Sequence, residues 1–181
     1  VRDDKETGYE IQLTNKNKEY LEQIISPKFS QIFGIDPSVL SRSSGSTCDI
    51  ILNSKVLYIF LRDVINMPEG EKKGKLSVPI VIKDNLKVKK SFLRGFFDTD
   101  GWVSGKSKTK FNLGISQSDI GFLEEVKEML IDLDISIGGP YASGSSTGYE
   151  IRSYSPKVMK QFARKINSEH PEKKQVLYQW K

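Results

Sequence analysis

The chain has 181 residues, of which 37% are apolar and 28% are charged. This composition predicts one compact domain or two small ones and excludes a disordered or fibrous protein. No stretch approaches the roughly 18 consecutive apolar residues of a membrane span, and the N-terminus lacks the apolar run of a signal peptide. We therefore expect a soluble intracellular protein, cytoplasmic or organellar, with no membrane partner. The single cysteine excludes an internal disulfide, and the net charge of +5 mildly favours a polyanionic partner.

The sequence matches itself when it is shifted by 102 residues. The matching segments are residues 9–15 with 111–117, 20–24 with 122–126, and 55–62 with 157–164. These segments fall in two separated blocks, residues 9–24 and 55–62, and their agreement in one frame indicates two copies of one structural unit. The alternative is that amphipathic stretches agree by chance.

Each copy begins with alternating apolar and polar residues, which is the period of a half-buried strand. A helical period follows at residues 20–25 and again at residues 120–133. We expect Pro27 to kink or restart the first of these helices, and Gly34 to cap its C-terminus.

A second strand region follows each helix, at about 39–53 and 139–154, with a Gly/Ser-rich hairpin tip inside it. Ser54 and Ser155 are then predicted to be N-caps of a final helix. The apolar stripes expected for the two final helices are Val56, Phe60 and Val64, and Val158, Phe162 and Ile166. The predicted unit is therefore strand-strand-helix-strand-strand-helix, present twice.

A third helical pattern, at residues 87–101, lies between the two copies. Leu93 and Phe97 are one turn apart and Phe96 adds apolar surface, so we expect this helix in the interior. Gly95 in mid-helix costs about 1 kcal/mol relative to alanine, which favours close packing of a second helix there.

This helix ends at Asp98-Thr99-Asp100-Gly101, which places two carboxylates at the end of a buried element. Carboxylates in such a position are caps or ligands for a hard cation such as Mg²⁺ or Ca²⁺. An EF-hand loop is excluded, because Trp102 stands where the third ligand belongs and the glycine comes too early. From these four residues alone, a plain turn after a core helix remains open.

Residues 93–101, Leu-Arg-Gly-Phe-Phe-Asp-Thr-Asp-Gly, resemble the signature of the LAGLIDADG homing endonucleases. Leucine, glycine, both aspartates and the final glycine match, whereas Phe96 and Phe97 replace aliphatic residues and Arg94 and Thr99 replace alanines. The segment that contains Gly70, Lys73, Leu76 and Pro79 also resembles the one that precedes the second motif in these proteins.

The resemblance implies an α+β fold of two pseudo-symmetric units, each an antiparallel four-stranded β-saddle with packed helices, joined at a central motif-helix interface. The halves would be residues 1–86 and residues 87–181, with the motif helix at 87–101. The interface residues would be Leu93, Gly95, Phe96 and Phe97. The first copy has no motif, so we expect that a preceding segment, or another chain, supplies the second motif helix.

The resemblance further implies a site-specific endonuclease that hydrolyses double-stranded DNA with Mg²⁺, with Ca²⁺ as a non-catalytic substitute. Asp100, the last acid of the motif, would hold the metal together with Gly101. The other catalytic residues implied are Gln117 and Asn15, which would order water, and a lysine from among Lys73, Lys173 and Lys174. For each lysine, a solvated surface role is the alternative.

Lys106, Lys108 and Lys110 alternate along the predicted first strand of the second copy, so their side chains would point to one face. Phe111 and the apolar residues after it reach the core face only if a bulge or turn shifts the register between residues 109 and 111. The further residues expected to contact DNA are Asn112, Arg152, Tyr154, Glu10, Gln12 and Arg42.

Two other functions stay open. A LAGLIDADG descendant could bind DNA as a regulator, or RNA as a maturase, without cleaving it. The chain could also be the endonuclease part of an intein. Retention of Asp100 favours the enzyme.

Overall fold

The computed structural model describes residues 2–4, 8–42, 45, 47–70, 74–107, 110–144 and 148–181. It divides into two compact units, Val1–Lys72 and Lys73–Lys181. Each unit carries one four-stranded antiparallel sheet with helices on one face. The predicted α+β class, with two antiparallel four-stranded sheets, is confirmed.

The division falls earlier than the boundary that the sequence suggested after residue 86. The segment before the motif helix is tied to the C-terminal unit by two backbone N–H groups. Leu76 donates to the carboxylate of Asp119 at 3.2 Å, and Val78 donates to Glu125 at 2.6 Å. Val78 is also buried in the core of that unit, so this segment packs with the second copy.

The N-terminal unit has the strand order β1-β2-β4-β3. Its elements are β1 (Arg2–Asp4), β2 (Gly8–Asn15), α1 (Lys18–Tyr20), a π-helical stretch (Leu21–Ile25), α2 (Ser26–Phe33), β3 (Ser38–Ser41), β4 (Cys48–Asn53), α3 (Lys55–Ile59) and a π-helical continuation (Phe60–Val64). The expected restart is confirmed, because the π-helical stretch gives way to α2 with Pro27 in its first turn. Gly34 ends α2 with a left-handed φ of 65°, which glycine adopts without strain.

The C-terminal unit has the equivalent order β5-β6-β8-β7. Its elements are α4 (Ile80–Lys83), α5 (Leu86–Asp100), β5 (Gly101–Ser107), β6 (Lys110–Gln117), α6 (Ile120–Ile131), β7 (Gly138–Ala142), β8 (Tyr149–Ser153), α7 (Pro156–Lys165) and α8 (Pro171–Tyr178). The motif helix is α5, and it begins at the Asn85 cap, whose side chain accepts hydrogen bonds from the N–H groups of Lys87 and Val88.

The number of positions that separates equivalent residues of the two units changes from 102 to 101 along the chain. Strands β2 and β6 end at Asn15 and Gln117, which are 102 positions apart, but these residues pair with Cys48 and Tyr149, which are 101 apart. The predicted N-caps Ser54 and Ser155 are also 101 apart. Ser54 accepts a hydrogen bond from the N–H of Leu57, whereas Ser155 takes the cap position without a side-chain bond.

This shift overturns the predicted apolar stripe of the first copy. Val56, Phe60 and Val64 are 81%, 42% and 66% exposed, and Leu57 and Tyr58 are buried in their place. A one-residue error rotates the inward direction of a helix by about 100°. The stripe of the second copy is confirmed, since Val158, Phe162 and Ile166 are buried.

The motif helix packs into the core of its own unit. Leu93 and Phe97 are fully buried there, and the centres of the Phe97 and Phe162 rings are 4.6 Å apart. The expectation that these two residues form an interface with a second helix is therefore wrong, because their side chains are already enclosed. Phe96 is half-buried, with its ring 5.2 Å from that of Phe122. Gly95 is exposed, and a Cβ built on it would meet nothing within 4 Å among the described residues.

Candidate functional site

The two carboxylates at the end of α5 have different surroundings. Asp98 is 2% exposed and accepts hydrogen bonds from the Ser168 hydroxyl and, at 3.1 Å, from the N–H of Glu169. Asp100 is exposed, and its carboxylate accepts a hydrogen bond from the Thr99 hydroxyl at 2.9 Å. Asp98 therefore fixes the loop after α7 to the motif helix, while Asp100 is accessible to solvent.

Gly101 follows Asp100 and opens strand β5. A Cβ at this position would lie 2.2 Å from Cδ2 of Phe97 and 2.5 Å from its carbonyl oxygen. Glycine is thus required for the chain to turn from the helix into the strand over a buried phenylalanine ring. This close approach sets the position of Asp100 at the edge of the sheet.

Lys173, on α8, reaches the C-terminal end of the motif helix. Its Nζ donates to the carbonyl oxygens of Phe97 and Asp98, each at 2.8 Å, and lies 5.3 Å from the centre of the Phe97 ring. Burial lowers the pKa of Lys173, and the negative charges of Asp98, Asp100 and Glu172 oppose this shift. Of the three candidate lysines, Lys173 lies at the motif, Lys174 has an exposed side chain, and Lys73 lies outside the described residues.

Gln117 and Asn15 take equivalent positions as the last residues of β6 and β2. Because Gly101 pairs with Ile115, the end of β6 lies at the same edge of the sheet as Asp100. The Gln117 side-chain oxygen accepts from the N–H of Ser118 at 2.7 Å. Asn15 accepts from the N–H of Asn17 at 2.8 Å.

Each sheet has one face on the helices and one outer face. On the outer face of the second sheet, the Trp102 indole N–H donates to the Ser116 hydroxyl at 3.2 Å. The Arg152 guanidinium binds the carboxylate of Glu150 and lies 5.2 Å and 5.8 Å from the ring centres of Tyr141 and Tyr154. By strand register, Asn112 and Arg152 belong to this outer face, and Tyr154 follows the end of β8 with its ring against Arg152.

The outer face of the first sheet is organised around Asp49, which is 6% exposed. Its carboxylate accepts from Nε and Nη2 of Arg42 at 2.7 Å and 3.1 Å and from the Thr14 hydroxyl at 2.6 Å. Gln12 also donates to it. The hydrogen bond from Arg42 is the main cause that holds the pKa of Asp49 below its ordinary value. Glu10, two residues before Gln12, belongs to the same face.

The three alternating lysines do not share one strand. Lys106 lies in β5, which ends at Ser107, whereas Lys110 begins β6, which runs antiparallel to β5. The register shifts between Gly105 and Ser107. Lys108 and the side chains of Lys106 and Lys110 lie outside the described residues. This register shift lies before the expected position between residues 109 and 111, and the apolar residues Leu113 and Ile115 of β6 are buried in the core.

No helix in the described part of the chain is long and apolar enough to cross a membrane.

Residues 87–167 match the family model of the LAGLIDADG-like domain. Among curated proteins, the chain is 28% identical over 127 residues to the glutamine–fructose-6-phosphate aminotransferase of Methanocaldococcus jannaschii. It is 29% identical over 131 residues to the tRNA-splicing ligase RtcB of Pyrococcus furiosus. These matches cover 69% and 66% of this chain but only 11% and 14% of the two relatives.

The fold is similar to that of solved LAGLIDADG proteins. Mesophilic variants of the homing endonuclease I-DmoI match with a TM-score of 0.69 and 14% identity, over 94% of this chain and 83% of theirs. I-DmoI in complex with DNA and Mn matches with a TM-score of 0.64 and 16% identity, over 87% and 80%. The N-terminal LAGLIDADG domain of DUF199/WhiA matches with a TM-score of 0.59 and 13% identity, over 90% and 75%. Residues 87–167 therefore form a LAGLIDADG-like domain, and the chain has a fold similar to that of LAGLIDADG proteins.

Proposed function

We propose that this protein is a divalent-metal-dependent, site-specific endonuclease of double-stranded DNA. The observation that carries the proposal is the exposed carboxylate of Asp100, held at the end of α5 where this helix enters strand β5. The outer face of the sheet that contains β5 displays Asn112 and Arg152, with the Tyr154 ring against Arg152, a polar and cationic surface suited to the edges of bases and to phosphates. Similar folds occur in I-DmoI complexes with DNA and Mn or Ca.

Asp100 fits the role of a metal ligand, although the protein would supply few ligands besides it. Within the described ranges, no group of three or more His, Cys, Asp and Glu side chains could hold a metal ion. Mg²⁺ commonly keeps several waters and takes one or two carboxylates together with phosphates of the substrate. One exposed carboxylate and the carbonyl oxygen of Gly101 are compatible with that pattern. The cation would supply charge neutralisation and an activated water at a scissile phosphate.

The remaining residues of the proposed site act around this carboxylate. Gln117, at the same sheet edge, would orient water with its amide group. Lys173 would hold the end of α5, because its ammonium binds two carbonyl oxygens there. Asp98 would keep the loop after α7 in place, which leaves Asp100 as the acid that faces the substrate.

The exposed face of α5 supports the proposed second motif helix. Val88, Ser91, Gly95 and Thr99 lie at helical spacing and are exposed. Small side chains at this spacing let a second helix approach closely. We propose that a helix of the same type, from a further segment or another chain, covers this face and brings a second acid.

A non-cleaving DNA-binding protein is the second candidate. It is favoured by the similarity to the LAGLIDADG domain of DUF199/WhiA, which shares the fold but, unlike I-DmoI, is not named an endonuclease. This similarity is comparable in extent to the similarity to I-DmoI. The same outer faces would then bind DNA without a role for Asp100 in catalysis.

The two curated relatives support an origin inside a host protein. An aminotransferase and an RNA ligase carry out unlike reactions, yet each matches most of this chain over a small part of its own length. A segment shared by two enzymes of unlike reactions points to an origin independent of either reaction. We propose that such a segment is an inserted endonuclease domain, as in an intein.

The test is a cleavage selection on a randomised library of DNA duplexes, with Mg²⁺ and then with Ca²⁺. Asp100→Asn is compared with Asp84→Asn, a matched change at another exposed aspartate. Cleavage that needs Mg²⁺, survives Asp84→Asn and disappears in Asp100→Asn supports the endonuclease. Selective binding without cleavage supports the regulator, and absence of binding to any duplex contradicts both.

A further inference from the structure

The two sheets place a carboxylate at equivalent positions on their outer faces. Asp49 pairs with Thr14, one residue before the end of β2, and Glu150 pairs with Ser116, one residue before the end of β6. Both acids are largely buried, with 9% and 14% of their side chains exposed. An acid on a surface that binds DNA repels phosphates, so its presence in both units calls for a specific role.

In the N-terminal unit, this acid fixes the plane of an arginine. Nε and Nη2 of Arg42 both bind the Asp49 carboxylate, and Nη2 also lies 3.2 Å from the Thr14 hydroxyl. Nη1 takes part in none of these bonds. The Arg42 side chain is 48% exposed, so a guanidinium in a fixed plane is presented at the outer surface.

In the C-terminal unit, an acid and two aromatic rings fix the second arginine. Nη1 of Arg152 binds Glu150, and the guanidinium lies near the rings of Tyr141 and Tyr154. The side chain is 38% exposed. The two arginines come from different positions in their units, Arg42 just after β3 and Arg152 within β8. What the units share is the acid that holds each guanidinium.

The pairing with an acid favours a base edge over a phosphate as the ligand of each arginine. A neighbouring carboxylate offsets the positive charge and so weakens attraction to a phosphate, whose recognition depends on that charge. The edge of a base is neutral, and its recognition depends on the directions of the N–H bonds, which the acid fixes. Guanine presents two adjacent acceptors, O6 and N7, in the major groove, and arginine is their commonest partner.

We propose that Arg42 and Arg152 each read one guanine of the DNA target, and that Asp49 and Glu150 are positioning residues that hold them for this purpose. The proposal rests on the proposed function, because it assigns specificity to the same DNA-binding faces. Ordering a long side chain on binding costs free energy. Because the two acids already order the arginines in the free protein, DNA binding does not incur this cost.

The experiment is a binding selection from a randomised duplex library in Ca²⁺ at fixed salt, with the wild type, Arg42→Lys and Arg152→Lys. The matched control is Arg62→Lys, because Arg62 is also held by a carboxylate, that of Asp63, but lies in the π-helical continuation of α3. Each outer-face variant should lose about tenfold of its preference for guanine at one position of the target, with the other positions unchanged. The control should keep the wild-type profile.

Asp49→Asn separates positioning from mere stability. It keeps Arg42 but loosens its guanidinium, so the preference at the Arg42 position should weaken while those at other positions persist. Because lysine retains the charge, the dependence of affinity on salt should be unchanged in Arg42→Lys. Unfolding curves of all variants identify any loss of fold.

The outcomes separate the two proposals. Uniform weakening across the target, or an intact profile in Arg42→Lys and Arg152→Lys, overturns the guanine assignment and leaves the endonuclease standing. The expected changes of profile in a protein that never cleaves support the assignment and contradict the endonuclease. A wild type without sequence preference contradicts both.

Discussion

Lys173 offers the sharpest test of how the motif helix is held. In Lys173→Met the side chain keeps its length and apolar stem but loses both hydrogen bonds to the end of α5. A bond from a charged donor contributes about 1.5–3 kcal/mol, so the two together contribute roughly 3–6 kcal/mol before the cost of burying the ammonium. The lowered pKa of Lys173 shows that burial opposes the charge. We therefore expect a net loss of about 2–4 kcal/mol in the free energy of unfolding.

The measurement is urea unfolding followed by tryptophan fluorescence. Both tryptophans of the chain, Trp102 and Trp180, lie in the C-terminal unit, so the signal reports the unit that contains α5. The matched control is Lys174→Met, one residue along the same helix with an exposed side chain. Equal unfolding midpoints for the two variants would refute the reasoning, because the two carbonyl contacts would then contribute nothing.

Three further outcomes follow from the described contacts. Asp98→Asn should lower the free energy of unfolding by about 1–3 kcal/mol, because a buried acceptor of two hydrogen bonds is replaced by an amide; an unchanged urea midpoint would contradict this. The folded pKa of Asp49 lies below its ordinary value, so the stability it contributes is present above about pH 4 and is lost as the pH falls through the folded pKa. Urea titrations at about pH 5 and pH 3 should therefore show a steeper loss in the wild type than in Asp49→Asn, and parallel losses would refute this. Gly114→Ala should destabilise the C-terminal unit, because its Cβ would lie 2.5 Å from the Trp102 ring, whereas Gly95→Ala should stabilise the free chain by up to about 1 kcal/mol; thermal melts that rank the two in the reverse order would contradict the packing.

Local patterns predicted the elements well where one physical signal dominates. The alternation in β2 and β6, the left-handed cap at Gly34 and the N-cap at Ser54 all depend on neighbouring residues alone. The helical period predicted α5 to within a residue of its observed bounds, Leu86–Asp100.

The errors arose where a prediction depended on register. The single frame of 102 positions ignored a one-residue difference between the units, which turned Val56 and Phe60 from core to surface in the structure. The alternation of the lysine run predicts one strand, whereas Lys106 lies in β5 and Lys110 in β6. Periodicity carries no information about where a hairpin reverses.

The sequence indicates the motif of the candidate site but not all of the residues that support it. The resemblance of the motif implies Asp100 as the metal ligand, whereas nothing in the sequence indicates the roles of Asp49 and Glu150. A lone acid in a strand has no distinctive sequence signal, and its arginine comes from a separate position in the chain or lies two residues away. Only the strand pairing shows that the two acids are equivalent.

The exposed faces of α3 with its π-helical continuation and of α7 differ more in sequence than their buried faces do. Exposed Val56, Phe60 and Val64 in the first copy correspond, in the frame of 101, to Lys157, Gln161 and Lys165 in the second. An engineer who wished to build a symmetric homodimer from one duplicated half would therefore choose the C-terminal unit as the parent. Its helix already has a water-compatible exterior, whereas a protein built from two N-terminal units would display the apolar stripe twice and be prone to aggregate.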